Sequence, residues 1–151
     1  WLPWTDIVAP LLILGYAIGR IGCFLVGDDY GVATDLPWGM TFPRGAPPTF
    51  EPVHPTQMYE TLTGMGIFAI LWNLRTWDRP AGSLFALYLM LAGTERFLIE
   101  FIRTNEKYLF DLSGAQIIST LMFVIGAFLI IKLGKTSDHD SAAGAEETTP
   151  D

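Results

Sequence analysis

Four stretches of this chain are long and apolar enough to cross a lipid bilayer, and this limits its possible folds more than any other feature. They cover roughly residues 6–26, 57–75, 81–103 and 112–133, and about 20 apolar residues span a hydrocarbon layer. With no water at hand, each stretch must satisfy its own backbone amides as a helix. Pro10 lies inside the first stretch, where it is tolerated near a helix start or as a kink. A soluble fold would need four core helices with no polar face to meet water. The sequence therefore predicts an all-α integral membrane protein of about four transmembrane helices. A long outer-side loop joins the first to the second.

The polar residues sit in blocks around these stretches. The net charge of −7 owes much to residues 136–151, which hold Asp138, Asp140, Glu146, Glu147 and Asp151 and no Lys or Arg. Such a composition buries too little apolar surface to order itself. Residues 1–135 are thus expected to form a helical membrane domain, and 136–151 a disordered acidic tail in which His139 is simply solvated. Cys23 is the single cysteine, so no internal disulfide is expected. No basic, cleavable leader pattern is visible at the start. The opening Trp1-Leu2-Pro3-Trp4 reads instead as an aromatic belt ahead of a span. No internal repeat is seen.

Lys and Arg in short connections set the orientation. Arg75 and Arg79 flank the second connection, and Lys132 and Lys135 close the last span, so both places read as cytoplasmic. The loop from Gly27 to Thr56 carries Arg44 against Asp28, Asp29, Asp35 and Glu51 and reads as external. Arg103 and Lys107 pull the other way, but alternation across four spans keeps the C-terminus inside.

Charges inside the apolar stretches are the strongest functional signal. Arg20, Glu60, Glu95, Arg96 and Glu100 all interrupt or border them, and an ionisable group at mid-membrane costs on the order of 3 kcal/mol. At about 1.5 Å rise per residue, Arg20, Glu60 and Arg96 each lie roughly 8–10 Å inside the outer end of their helices. Three helices thus bring charge to one depth. Glu100 and Arg103 follow Arg96 at i+4 and i+7 and are expected to continue its face. Two buried guanidiniums suit a phosphate, since Arg offers planar, always-charged, bidentate donors. The plainer alternative is that Arg20–Glu60 and Arg96–Glu100 are ion pairs that only hold helices together, although such pairs often fail to recover their desolvation cost.

Five motifs then resemble one family. Residues 19–31, from Gly19-Arg20-Ile21-Gly22-Cys23 to Gly27-Asp28-Asp29-Tyr30-Gly31, are similar to the glycine-rich motif of prolipoprotein diacylglyceryl transferases. Pro37-Trp38-Gly39-Met40, His54-Pro55-Thr56-Gln57-Met58-Tyr59-Glu60, Arg96-Phe97-Leu98-Ile99-Glu100-Phe101-Ile102-Arg103 and Ser113-Gly114-Ala115-Gln116 follow in the family's order. The resemblance covers nearly all of 6–135. It implies a multi-pass enzyme of the bacterial inner membrane. That enzyme moves the diacylglyceryl group of phosphatidylglycerol to the lipobox cysteine of a preprolipoprotein signal peptide, forming a thioether and releasing glycerol phosphate.

By motif, Arg20 and Arg96 would be the essential arginines, with Glu60 and Glu100 positioning them or relaying protons. Gly22, Cys23, Gly27, Gly31, His54, Gln57, Tyr59 and Arg103 would line the substrate site, the glycines admitting the headgroup close to backbone. Several have plainer readings. His54 can cap or line the interface, Gln57 can bond across helices, Tyr59 and Trp38 can be belt aromatics, and Cys23 an inert small residue. The partners implied are phosphatidylglycerol, the preprolipoprotein and surrounding lipid. No metal, cofactor or nucleic acid is expected.

The chain departs from the family motif at Cys23 and Val26, where Asn is usual. It departs again at Asp28-Asp29-Tyr30, where an acidic-hydrophobic-aromatic tripeptide is usual. The family's first three spans, with their His-Gly-Gly element, have no counterpart in these residues. A truncated or degenerate homologue that binds anionic lipid without catalysis, and a small transporter with buried Arg–Glu pairs, are the competing readings.

Overall fold

The structure, a computed structural model, describes residues 1–103 and 113–146. Four helices dominate it: α1 (Leu2–Val26), α2 (Thr56–Leu74), α3 (Ser83–Glu100) and α4 (Gly114–Glu146). Between α1 and α2 lie two short strands, β1 (Met40–Phe42) and β2 (Thr49–Val53). The start of the fourth apolar stretch, Leu112, falls outside the described residues.

Helix boundaries follow local chemistry. α1 opens with a proline in its first turn, where the missing N–H does no harm. It closes at Gly27, whose φ of 78° lets its N–H return to the Cys23 carbonyl at 2.9 Å. The start of α3 has no cap of its own. Asp6, on α1, supplies one: its carboxylate accepts the amides of Gly82 at 2.7 Å and Phe85 at 2.9 Å. A carboxylate on orphan amides at a helix's positive end stabilises it by about 1 kcal/mol. At the start of α4, Gln116 Oε1 accepts the Ser113 amide at 3.1 Å, and the Ser113 hydroxyl accepts the Gln116 amide at 3.3 Å. This reciprocal box gives the Ser113–Gln116 motif a structural purpose.

The structure corrects the sequence reading in three places. α3 ends at Glu100, not Arg103. Beyond it the chain leaves the helix to pair with the loop: Val32 N–H bonds the Ile102 carbonyl at 2.9 Å, and Gly31 and Arg103 form an antiparallel bridge. Secondly, the all-α reading omits a short two-stranded ribbon in the long loop. β1 and β2 pair antiparallel with Met40 opposite Val53 and Phe42 opposite Thr49, and Ala33 adds a bridge to Val53. Thirdly, α4 continues unbroken to Glu146, so 136–146 are helical where the composition reads as disordered. Helix already formed propagates cheaply into residues such as Ala142, Ala143 and Glu146. Residues 147–151 lie outside the described region.

Packing runs α1 on α2, α3 across both, and α4 along α3. Small residues set the close approaches. A methyl on Gly64 would meet Ala17 Cβ at 3.1 Å, and methyls on Gly93 and Gly126 would each come within 2.7 Å of a carbonyl on the facing helix. Ile13, Ile67, Leu71, Leu84 and Ala92 form the apolar centre. The distribution is otherwise inverted from that of a water-soluble fold. Thr56, Gln57, Glu60, Glu95, Glu100 and Ser119 are buried, while Ile7, Leu11, Ile18, Leu25, Ile118, Leu121, Phe128 and Ile131 face outward. α1 and α4 are long and apolar enough to cross a membrane. α2 and α3, which carry the buried charges, fall short of that apolarity.

Candidate active site

Glu60 is the hub of a cluster built from three helices and the loop. Its side chain is fully buried, and its two oxygens face different arginines. Arg20 Nε lies 3.2 Å from Oε2, and Arg96 Nη1 lies 2.8 Å from Oε1. The Tyr16 hydroxyl donates to Oε1 at 2.9 Å, and the Arg20 guanidinium sits 5.1 Å from the Tyr16 ring centre. The Arg96 Nη2 to Glu100 distance is 3.8 Å. The charges that α1, α2 and α3 bring to one depth are thus in direct contact. Glu60 bridges both arginines, where the sequence suggested two separate pairs.

Arg103 joins the cluster by a different route from the one expected. Outside the helix, it is held over the site by the bridge to Gly31 and pairs with Asp29 rather than extending the Arg96 face. Asp29 also takes Arg20 Nη1 at 3.0 Å. One loop carboxylate therefore spans two guanidiniums. Burial alone would raise the Asp29 carboxyl, but Arg103 and then Arg20 outweigh it and hold it below the usual carboxylate range. The backbone of Asp29 is left-handed, with φ of 59°, and its carbonyl accepts the Thr56 hydroxyl at 2.7 Å. Gln57 fixes the neighbouring turn by donating to the Asp28 carbonyl. Cys23, Asp28 and Asp29 offer donor atoms within 4.8 Å of one another. Positive charge already reaches this spot from Arg20, Nη1 of which also lies 3.8 Å from Cys23 Sγ.

Other expected site residues have structural work. Gly31 lies where a methyl would run into Ile102 O at 2.5 Å and His54 Cβ at 2.8 Å. It thus admits protein backbone rather than a headgroup. Gly27 caps α1, and Gly22 faces open space. His54 Nδ1 meets the Tyr59 hydroxyl at 3.2 Å, and the same hydroxyl takes Trp38 Nε1 at 2.7 Å. This chain of contacts ties the loop to the head of α2. Among the described residues, none of these hydrogen bonds reaches the arginines.

Sequence reasoning missed Tyr16 and the bridging role of Asp29. Tyr16 had a signal, since it stands four residues before Arg20 and so on one helix face. Asp29 had none, because its reach depends on the left-handed turn after α1.

Beside the cluster, a cavity of about 330 Å³ opens between α1 and α4. Ile13 and Tyr16 form one wall, Ala115, Ile118, Ser119 and Met122 the other, and Tyr88, Ala92, Glu95 and Arg96 the floor. Glu95 is turned toward α2, where it accepts the Thr63 hydroxyl at 3.0 Å. Among the described residues, α1 and α4 do not pack on each other. An apolar trough thus leads to the Arg96 side of the charged cluster.

The sequence profile of the prolipoprotein diacylglyceryl transferases matches residues 1–132. The chain belongs to the prolipoprotein diacylglyceryl transferase family. Similar proteins include the phosphatidylglycerol–prolipoprotein diacylglyceryl transferase of Bordetella avium (strain 197N), 39% identical over 140 residues, 89% of this chain and 52% of the relative. The protein of the same name from Aeromonas hydrophila is 41% identical over 131 residues, 83% of this chain and 47% of the relative. That from Cupriavidus metallidurans is 40% identical over 148 residues, 95% of this chain and 54% of the relative. The chain spans about half the length of the curated relatives it matches.

Proposed function

We propose that this chain holds the phosphate of phosphatidylglycerol while the diacylglyceryl group passes to the thiol of a prolipoprotein cysteine. The observation that carries this reading is the Arg20–Glu60–Arg96 bridge at the head of an apolar trough. Transfer forms a carbon–sulfur bond and breaks the carbon–oxygen bond to phosphate. The thiol proton ends on the departing glycerol phosphate, on which negative charge builds as the carbon–oxygen bond breaks. Donors fixed in advance around that charge lower the barrier most. Arg20 and Arg96 remain 14% and 25% exposed while anchored to Glu60, which leaves free N–H groups for a ligand. Acyl chains suit the trough between α1 and α4. A chimera in which this chain replaces the matching segment of the Bordetella avium relative tests the reading. Arg20→Ala and Arg96→Ala are each expected to abolish transfer. Arg79→Ala, which removes a side chain stacked over Trp77, should be near neutral. Sensitivity at Arg79 with tolerance at Arg96 would overturn it.

The setting we propose is the bacterial inner membrane, crossed four times by residues 1–135, with the loop outside and the C-terminus in the cytoplasm. The outward apolar side chains support it. So do Arg75, stacked on Trp72 at 3.8 Å, and Arg79, at the end opposite the arginine cluster. α4, at 33 residues, is about 50 Å long against a hydrocarbon layer of about 30 Å. Its acidic end therefore extends into water. In a Cys23→Ala background, a cysteine at Thr49 should react with an impermeant maleimide from outside cells, and one at Ser137 should not. Labelling of the second alone would reverse the orientation.

A further inference from the structure

Every guanidinium of the cluster already holds a carboxylate where a phosphate would approach. Among the described residues, the ion pairs of the cluster join three guanidiniums, Arg20, Arg96 and Arg103, to three carboxylates, Asp29, Glu60 and Glu100. A further anion would be in excess unless one carboxylate yields its place. Glu60 and Glu100 side chains are 0% and 2% exposed and cannot leave without stranding a buried charge. The Asp29 side chain is 41% exposed and sits on a loop.

We propose that Asp29 is an internal stand-in for the phosphate, bridging Arg20 and Arg103 in the resting site and swinging into water when an anionic headgroup binds. This deepens the phosphate-holding role above and rests on it. The geometry fits. The two oxygens of Asp29 go to two different guanidiniums, Oδ2 to Arg20 and Oδ1 to Arg103, as two phosphate oxygens would. Arg103 is the second observation. Its side chain is 7% exposed, and its Nε and Nη1 have no hydrogen-bond partner among the described residues. Such donors are costly to leave unfilled, and a phosphate with more oxygens than a carboxylate can fill them. The Asp29 backbone stays anchored through Thr56, so release needs only side-chain rotation.

Asp29→Asn tests this cleanly, because Asn tolerates the left-handed backbone and keeps the shape while removing the charge. Affinity for phosphatidylglycerol is measured on the full chain in phosphatidylcholine nanodiscs by native mass spectrometry. Asp29→Asn should bind about fivefold tighter than wild type, the size of one part-exposed ion pair. Asp29→Glu keeps the charge and should show no such gain, and Glu51→Gln on exposed β2 should match wild type. Unchanged or weaker binding by Asp29→Asn would overturn the inference. So would an equal gain in Glu51→Gln, meaning general charge, or in Asp29→Glu, meaning a loosened loop. Glycerol phosphate added to discs of phosphatidylcholine alone separates two sources of phosphate. A gain there as well assigns the contact to phosphate in either form, and a gain for lipid only assigns it to the bound headgroup. If wild type prefers phosphatidylglycerol and Arg20→Ala abolishes that preference while Asp29→Asn changes nothing, the headgroup role stands and this inference falls. If neither wild type nor Asp29→Asn prefers the lipid, both fall.

Discussion

Arg20→Lys and Arg96→Lys should each lower transfer by roughly 100-fold, close to the loss from removing a preorganised donor outright. The reason lies in how each guanidinium is used. Arg20 gives Nε to Glu60 and Nη1 to Asp29, while Arg96 gives Nη1 to Glu60 and turns Nη2 toward Glu100. A lysine carries the same charge on one nitrogen, which Glu60 would hold. No fork remains for the phosphate. Transfer rates in the chimera decide the matter. Lysine variants within a few-fold of wild type would mean that charge alone suffices and that the forked contact has no role.

Removing Glu60 should harm the fold as much as the chemistry. Glu60→Ala leaves two half-buried guanidiniums without their shared carboxylate and strands the Tyr16 hydroxyl. Breaking a buried pair from one side costs about 3–5 kcal/mol, a large share of the stability of a small domain. Glu60→Gln keeps the volume and one acceptor, so it should fold better but still fail in transfer, because neutral Gln no longer holds both arginines in place. Thermal unfolding in detergent separates the two variants. A Glu60→Ala protein as stable as wild type would show that the hub carries no structural load.

The centre of the site was legible in sequence because membrane burial makes charge conspicuous. Arg20, Glu60 and Arg96 are exceptional residues in apolar runs, and helical rise alone brings them to one level. What escaped notice depends on loop backbone. Asp29 reaches the arginines through a left-handed residue, and Arg103 through a bridge to Gly31 that ends α3 one turn early. Neither leaves a periodic trace. The β1–β2 ribbon was hidden for a related reason, as a three-residue strand such as Met40–Phe42 is too short to show alternation. The acidic end of α4 was misread because composition was judged apart from the helix it continues.

The Asp6 cap has a mechanical consequence. α1 is held at two points: near its start by Asp6 on the amides of α3, and near its end by Arg20 on α2. These anchors stand 14 residues apart in sequence, about 21 Å along the axis. Slipping α1 by one turn, about 5.4 Å, would break both at once, so this helix cannot act as a piston. Among the described elements, α4 packs on α3 alone, along the shallow seam at Gly93 and Gly126. Of the two walls that border the trough, α1 is thus pinned to two helices and α4 to one.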